Sequence, residues 1–437
     1  MDRTINIGVV CLARKTYDFE AALEIYKATM EKLHKVSDVN WSFISELVIE
    51  VEDAKAAAQE LETKHLDGLV IITGTFHLGH LALTLKNRLN IPTLLWAFPE
   101  LPYNGGKIRL NSVCGLNLNA SNLYKAGFDD VTCHLSSDID ENWLDAVRMK
   151  AMISRAHIGL LGYRADGFFN LDVDEMALYR DTGVLIDHFE LCDVTNIEVT
   201  DEEKQKYSTE ISGCFDCAGI TDTQAELVAA LCVKFEKFMK MHNLDAVAVR
   251  CWPEFANLYG CSPCAAMSIL QSKGIILGCE GDIEGVLSML ICSSLNAGTP
   301  FLADLSQVDL EDDTALLWHC GVAPMNLWDE KSVRSMDTYF AGGRGVTTGF
   351  VMKTGKLSLV RIDSARGKTR LFYEDGEALP MDKLLTGTYA KVRFNKSISE
   401  VLDTVTSTGV AHHLAMVYTQ KKRSFMIFAQ IMGYEVI

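Results

Sequence analysis

Short apolar runs alternate with amphipathic stretches through the first two thirds of the chain, the pattern of parallel strands crossed over by helices. Ile5 to Leu12 reads as a buried strand. Phe19, Leu23, Tyr26, Met30 and Leu33 then recur every three or four residues, which predicts a helix packed on the sheet of that strand. The unit repeats with a strand from Gly68 to Thr73, a helix from Leu78 to Leu89 and a strand from Thr93 to Phe98. Helices over 118–127 and 141–156 complete a first Rossmann-like α/β domain, placed at residues 1–155. A second series opens with a strand from His157 to Gly162 and a helix from Asp172 to Asp181. It runs on through a long helix from Thr223 to about Met241, strands at Asp245 to Val249 and Ile275 to Leu277, a helix from about Ile283 to Leu295, and a strand at Pro300 to Ala303. This series predicts a second parallel-sheet α/β domain at 156–338.

Beyond the Gly342-Gly343-Arg344-Gly345 stretch, which reads as a connecting turn, the period falls to two. Val346 to Met352, Lys356 to Ile362, Thr369 to Tyr373, Tyr389 to Phe394, Leu414 to Thr419 and Phe425 to Phe428 are short runs separated by turn signals such as Thr354-Gly355 and Asp375-Gly376. Residues 339–437 therefore predict a C-terminal antiparallel β-barrel domain.

Composition narrows the function. A length of 437 residues exceeds one hydrophobic core and agrees with about three domains. The net charge of −17 excludes sequence-independent nucleic-acid binding, which needs a basic surface, and argues equally against docking on an anionic membrane. The start of the chain lacks a basic segment followed by a long apolar one, and no uncharged apolar stretch approaches the length of a membrane span, so the expectation is a soluble, unprocessed, cytoplasmic protein. Thirteen cysteines, an odd number scattered among apolar neighbours, read as reduced thiols rather than a disulfide framework.

Candidate chemistry gathers where strands end, because ligands of parallel α/β sheets sit beyond the carboxyl ends of the strands. Glu280 follows the strand at 275–277, and Asp304 follows the strand at 300–303. Side by side, two such carboxylates bind a divalent cation or exchange protons with a substrate; capping a helix or loop is their alternative use. His319 and the pair His412-His413 add imidazoles, a mixture that suits Mn²⁺, Fe²⁺ or Zn²⁺ better than Ca²⁺. Adjacent histidines on a strand point to opposite faces, so only one of that pair is expected to face a site directly. Arg14, Arg164 and Arg250, the last followed by Cys251 and Trp252, stand at strand ends and either bind an anionic group or pair with the abundant acids. The Thr73 to His77 segment occupies a similar position. Two CxxC pairs, Cys214/Cys217 and Cys261/Cys264, invite a zinc-ribbon or redox reading, but Cys261 stands 44 positions after Cys217, far beyond a ribbon loop, and they read as buried or loop thiols. Neither a Walker A loop nor a GxSxG nucleophile elbow occurs.

The stretch from Cys279-Glu280-Gly281-Asp282 to Leu290, continued through Thr299-Pro300-Phe301-Leu302-Ala303-Asp304, resembles the metal-binding segment of the L-fucose and L-arabinose isomerases. There a metal-binding Glu precedes a metal-binding Asp, here 24 positions later. Gly409-Val410-Ala411-His412-His413 is similar to a Gly-Ala-His-His element of the same group, and Thr75-Phe76 with His77 faintly resembles its His-Thr-Phe loop. The resemblance implies that Glu280, Asp304 and His413 hold one Mn²⁺ or similar ion, that Glu280 and Asp304 carry protons between C1 and C2 of an aldose through a cis-enediol, and that His319 stands near the metal. Arg14, His77, Arg164, Arg250, Trp252, His319 and His412 are the expected substrate-binding residues. It further implies a homo-oligomer, a trimer or hexamer, with its active site at a subunit boundary. The expected substrate is a neutral hexose, deoxyhexose or pentose such as L-fucose or L-arabinose, or an anionic sugar such as sulfoquinovose, which is converted to sulfofructose. The competing readings are a non-catalytic sugar-binding protein and a metal-dependent aldolase or epimerase.

Overall fold

The computed structural model describes residues 3–338 and 344–437, so part of the expected connecting turn, Gly342-Gly343, lies outside the described residues. The chain divides into two compact units, Met1–Ala151 with Arg423–Tyr434, and Met152–Lys422 with Glu435–Ile437. Among the described residues no helix is long and apolar enough to cross a membrane.

The first unit is built on a five-stranded parallel sheet in the order Val39–Phe43, Ile5–Leu12, Gly68–Thr73, Thr93–Ala97, Val131–Leu135. The strands that read as continuous apolar runs are the buried central ones, as a sheet covered on both faces requires. Val39–Phe43 and Val131–Leu135, which the pattern does not announce, are edge strands of mixed polarity. Helix Phe19–Leu33 begins at Asp18, whose side chain accepts the Ala21 N–H, and buries the Ala22, Tyr26, Thr29 and Leu33 stripe. The expected strand Phe425 to Phe428 is instead part of the helix Lys422–Met432. Phe425, Phe428 and Ala429 are buried at helical spacing, and Ser424 bonds Asp145 in the same unit.

The second unit carries a four-stranded parallel sheet, Leu185–Phe189, His157–Leu161, Ala246–Val249, Ile276–Gly278, and a mixed nine-stranded sheet. The larger sheet runs in the order Ser335–Thr338, Val346–Val351, Thr388–Phe394, Thr314–His319, Phe301–Asp309, His413–Val417, Gly355–Ala365, Lys368–Leu379, Glu435–Val436. Thr388–Phe394 also pairs with Lys368–Leu379, so hydrogen bonding returns on itself through six strands. Parallel pairs occur within this sheet, which is therefore mixed rather than purely antiparallel. The strands that carry Asp304 and His319 belong to this C-terminal sheet. The helix Ile283–Ser294 is buried on nearly every side. It packs against Ala246–Val249 and Ile276–Gly278 of one sheet and Gly355–Ala365 and His413–Val417 of the other. Its N-terminus therefore lies where both sheets deliver their strand ends.

Candidate active site

That N-terminus is reached through a tight loop. After Ile276–Gly278 the chain passes Cys279 and turns at Glu280, which holds a left-handed backbone at φ 60°. A left-handed conformation is costly for a residue with a side chain and persists only where its surroundings impose it. Here Gly281 follows at φ 74°, and a Cβ on it would stand 2.5 Å from the Tyr163 carbonyl oxygen and 2.6 Å from the Arg164 Cα. The Ala165 N–H donates to the Glu280 carbonyl at 3.0 Å, and the Gly281 N–H donates to Val249 at 3.1 Å. The loop is thus tied on both sides, and the Glu280 carboxylate is aimed at the large sheet.

In that sheet Phe301–Asp309 lies between Thr314–His319 and His413–Val417, with Asp304 directly opposite His413 and Trp318. Directly opposite residues of an antiparallel pair present their side chains on one face. His413 Nε2 lies 3.4 Å from Glu280 Oε2 and 3.6 Å from Asp304 Oδ1. Two carboxylates from two different sheets therefore meet at one imidazole.

The protonation of that imidazole is set from behind. Asp282 caps the helix by accepting the Gly285 N–H at 2.8 Å, and its Oδ2 lies 2.9 Å from His413 Nδ1. Arg361 grips the same carboxylate with both terminal nitrogens, at 2.7 and 3.1 Å, and donates to the His413 carbonyl at 2.9 Å. Burial pushes the Asp282 carboxyl up, but the Arg361 guanidinium and the His413 N–H outweigh it and hold it well below the usual carboxylate range. An ionised Asp282 only accepts, so His413 carries its proton on Nδ1 and turns the Nε2 lone pair toward Glu280 and Asp304.

Three acceptors turned toward one another repel unless positive charge stands between them. Asp304 Oδ1 and His413 Nε2 are both buried and have no hydrogen-bond partner among the described residues. Such orphans are expensive unless something positive satisfies them. Donor atoms around one small divalent ion are spaced roughly 3 Å apart, close to the separations seen here. Two donor sets share His413, Glu280 with His412 and Asp304 with His319, and within each set the ligand atoms come mutually within 4.8 Å; such carboxylate–imidazole sets fit a divalent cation.

The neighbouring histidines face this centre with the opposite tautomer. The Cys320 N–H donates to His319 Nδ1 at 2.8 Å, and the Cys320 thiol lies 3.2 Å from the same nitrogen. Nδ1 is thus an acceptor, and the proton sits on Nε2, which is buried without a partner. His319 stacks on His413 with ring centroids 5.5 Å apart, and a ring nitrogen of His319 comes within 4.8 Å of Asp304 and His413. Asn170 Nδ2 contacts His412 Nδ1 at 3.1 Å, which leaves His412 Nε2 to donate to Glu280 Oε2 at 3.2 Å. Burial alone would raise Glu280, but the hydrogen bond from His412 holds its carboxyl below the ordinary value. Both members of the His412-His413 pair thus face the site, because His412 precedes the strand, which begins at His413, and strand alternation does not govern it.

The remaining expected residues are placed as follows. Arg164 borders the Glu280 loop; its guanidinium lies over the Tyr163 and Phe169 rings, 3.6 Å from the half-exposed Asp172, and its buried Nε makes no hydrogen bond. Arg250 is engaged by Glu254 through Nε at 2.7 Å and through a second, shorter contact. Trp252 is partly exposed. Arg14 and His77 lie in the first unit. Arg14 lines a cavity of about 330 Å³ with Lys15 and His80, beyond the carboxyl ends of Ile5–Leu12 and Gly68–Thr73. His77 is buried with both ring nitrogens occupied, Nδ1 by the Thr75 carbonyl and Nε2 by Asn119, each at 2.9 Å, and burial pushes it down to about 4.

Asp282 and Arg361 escape a reading of the sequence alone. Asp282 looks like an ordinary helix cap, which it also is. Arg361-Ile362-Asp363 within an apolar strand places a charge pair on one face at period two, the one signal that a buried ionic network was present. Asp363 in turn bonds Arg370, and Glu284 bonds Ser364.

Residues 8–160 match the family model for the N-terminal domain of fucose/sulfoquinovose isomerases. The chain is 26% identical over 422 residues to the sulfoquinovose isomerase of Priestia aryabhattai, covering 94% of this chain and 93% of that protein. It is 25% identical over 439 residues to the sulfoquinovose isomerase of Alkalicoccus urumqiensis, covering 98% and 97%. A solute-binding protein of Agrobacterium vitis bound to α-D-tagatopyranose is 10% identical over 57% of this chain and 77% of its own, with a TM-score of 0.17, and carries no argument. The domain match and the nearly full-length relatives agree: the chain resembles fucose/sulfoquinovose isomerases in its N-terminal domain and sulfoquinovose isomerases along nearly its whole length.

Proposed function

We propose that the protein is a metal-dependent aldose–ketose isomerase whose substrate is an anionic sugar of the sulfoquinovose type. The observation that carries the reading is the meeting of Glu280, Asp304 and the His413 Nε2 lone pair, with the last two buried and unpartnered. A divalent ion held by these three residues supplies Lewis-acid stabilisation of negative charge on the carbonyl and adjacent hydroxyl oxygens of the sugar. The chain does the rest. Asp282 and Arg361 hold His413 in the ligating tautomer. Glu280 and Asp304 take the proton from C2 and return it at C1. His319 presents its Nε2 proton to a sugar oxygen on which charge develops. His412, half in solvent, fixes the second contact of Glu280.

The near-full-length relatives named sulfoquinovose isomerase support the substrate class. So does Arg164, a guanidinium that borders the Glu280 loop, since a buried sulfonate needs such a partner. The proposal includes a homo-oligomer, a trimer or hexamer with the active site at a subunit boundary, to be checked by light scattering. The function is tested by stripping the protein with chelator, reloading it with Mn²⁺, and comparing ketose formation from sulfoquinovose, L-fucose and L-arabinose. Metal-restored turnover of sulfoquinovose in preference to the neutral sugars is expected. Preference for a neutral sugar overturns the substrate, and turnover unaffected by chelation overturns the metal.

A further inference from the structure

Behind His319 the second unit holds a row of four thiols that isomerisation does not use. Cys251 follows the strand Ala246–Val249 and Cys279 follows its parallel neighbour Ile276–Gly278, so the two leave the sheet side by side. Their sulfurs lie 2.9 Å apart. Cys279 Sγ and Cys320 Sγ lie within 4.8 Å of each other, and Cys320 Sγ lies 3.5 Å from Cys264 Sγ. All four are buried, Cys251 and Cys320 at 5% and 8% exposure being the least so.

Two chemistries suit clustered thiols: a soft metal ion and sulfur–sulfur bonding. Cys279, Cys320 and His319 alone among these groups come mutually within 4.8 Å, while Cys251 and Cys264 hang at opposite ends, so the sulfurs form a row rather than a tetrahedral cage. His319 Nδ1 is moreover already taken by the Cys320 N–H. Cys251 and Cys279, in contrast, need less than an ångström of approach to reach a disulfide, about 2.05 Å between sulfurs.

We propose that Cys251 and Cys279 form a reversible oxidation site that responds to a hydroperoxide and controls the neighbouring centre. The Cys251 thiolate attacks the peroxide, giving the sulfenic acid and releasing hydroxide, which takes a proton to leave as water. The Cys279 thiol then displaces a second water from the sulfenic acid, forming the disulfide. Two thiols lose two hydrogens and two electrons in all, and one hydrogen peroxide becomes two waters. An external dithiol reverses the bond by exchange. The effect on the centre follows from the absence of slack in the loop. Cys279 is bonded to the left-handed Glu280, Gly281 is pressed against Tyr163 and Arg164, and the Cys279 carbonyl accepts the Asp282 N–H at 3.1 Å. Pulling the Cys279 side chain toward Cys251 displaces the Glu280 carboxylate.

The bond is read by mass, independently of any activity; only its consequence rests on the proposed isomerisation. Full-length protein is treated with hydrogen peroxide, alkylated and digested with trypsin under non-reducing conditions, with turnover followed in parallel. Cleavage after Arg250 and Lys273 puts Cys251, Cys261 and Cys264 on one peptide and Cys279, Cys292 and Cys320 on the next, so the variants Cys251→Ser and Cys264→Ser, with fragmentation of the linked pair to place the bond at Cys279, decide which pair is joined. The expected result is a linked peptide pair lighter by two hydrogens in wild type and in Cys264→Ser but absent from Cys251→Ser. Most of the wild-type turnover is lost with the link and recovered with dithiothreitol, while Cys251→Ser, active before treatment, keeps its turnover. Cys251→Ala repeats the comparison without a buried hydroxyl. No link in wild type, or a link that persists in Cys251→Ser, overturns the site. A link that leaves turnover unchanged overturns the control of Glu280.

Discussion

Replacing Asp282 with Asn separates the shape of this residue from its charge. The carboxylate serves three partners at once: the Gly285 N–H, both terminal nitrogens of Arg361, and the His413 N–H. An amide of the same size keeps one accepting oxygen and sets an NH₂ group against donors. Breaking a buried ion pair by removing one partner costs about 3–5 kcal/mol. The cost here belongs near the lower end, because Asp363 at 3.3 Å and Glu284 at 3.8 Å still face Arg361. About 3 kcal/mol corresponds to a melting temperature lower by roughly 6–10 °C in a unit of this size. The second consequence is specific to the site. With an amide N–H facing Nδ1, the His413 ring moves its proton to Nε2, and the ligating lone pair is lost. Loss of such a supporting partner weakens metal binding roughly 10- to 100-fold. Titration of the chelator-stripped variant with Mn²⁺, followed by calorimetry below its melting temperature, reads this directly. Asp282→Asn that binds Mn²⁺ as tightly as wild type would refute the tautomer argument, whatever its stability.

Glu280→Gln keeps the fold and abolishes isomerisation even at saturating Mn²⁺, since the amide can neither carry the proton nor replace the charge at the centre; wild-type turnover in this variant contradicts the role. His319→Gln and His413→Gln should part company: the first retains Mn²⁺ affinity and loses roughly 100-fold in kcat, the second loses the metal, and equal loss of affinity in both would make His319 a ligand. Glu284 supplies a pH prediction, because burial lifts its carboxyl from 4.5 to about 7, against the pull of Arg361. The folded protein then binds more protons than the unfolded chain between those values, so stability falls as pH rises through that window, by on the order of 3 kcal/mol. Glu284→Gln should therefore gain in melting temperature over wild type on going from about pH 5 to about pH 8, and a difference that stays constant with pH refutes the assignment.

Much of the architecture was legible because it rests on burial. The continuous apolar runs at Ile5–Leu12, Gly68–Thr73 and Ala246–Val249 are central strands with both faces covered, and periodicity detects that situation well. The edge strands Val39–Phe43 and Val131–Leu135 bury too little to leave a pattern, and the helix Lys422–Met432 was misread because a four-residue apolar window cannot separate period two from 3.6. In the centre, Glu280, Asp304, His319, His412 and His413 could be nominated because their residue types and strand-end positions point to chemistry. Their convergence could not be read, since it depends on the strand carrying Asp304 lying next to the one carrying His413, more than a hundred residues later. Arg361 and Asp282 act through contacts between two sheets, for which no local pattern exists.

The most direct test of the central claim is proton magnetic resonance of the Mn²⁺-loaded protein turning over sulfoquinovose in D₂O, with the metal removed by chelator before each spectrum. Transfer through a carboxylate and an enediol predicts deuterium on C1 of the ketose, none of it formed by the Glu280→Gln variant. Ketose that appears with its full complement of carbon-bound protons would show a direct hydride shift and contradict the proton-carrying role assigned to Glu280 and Asp304.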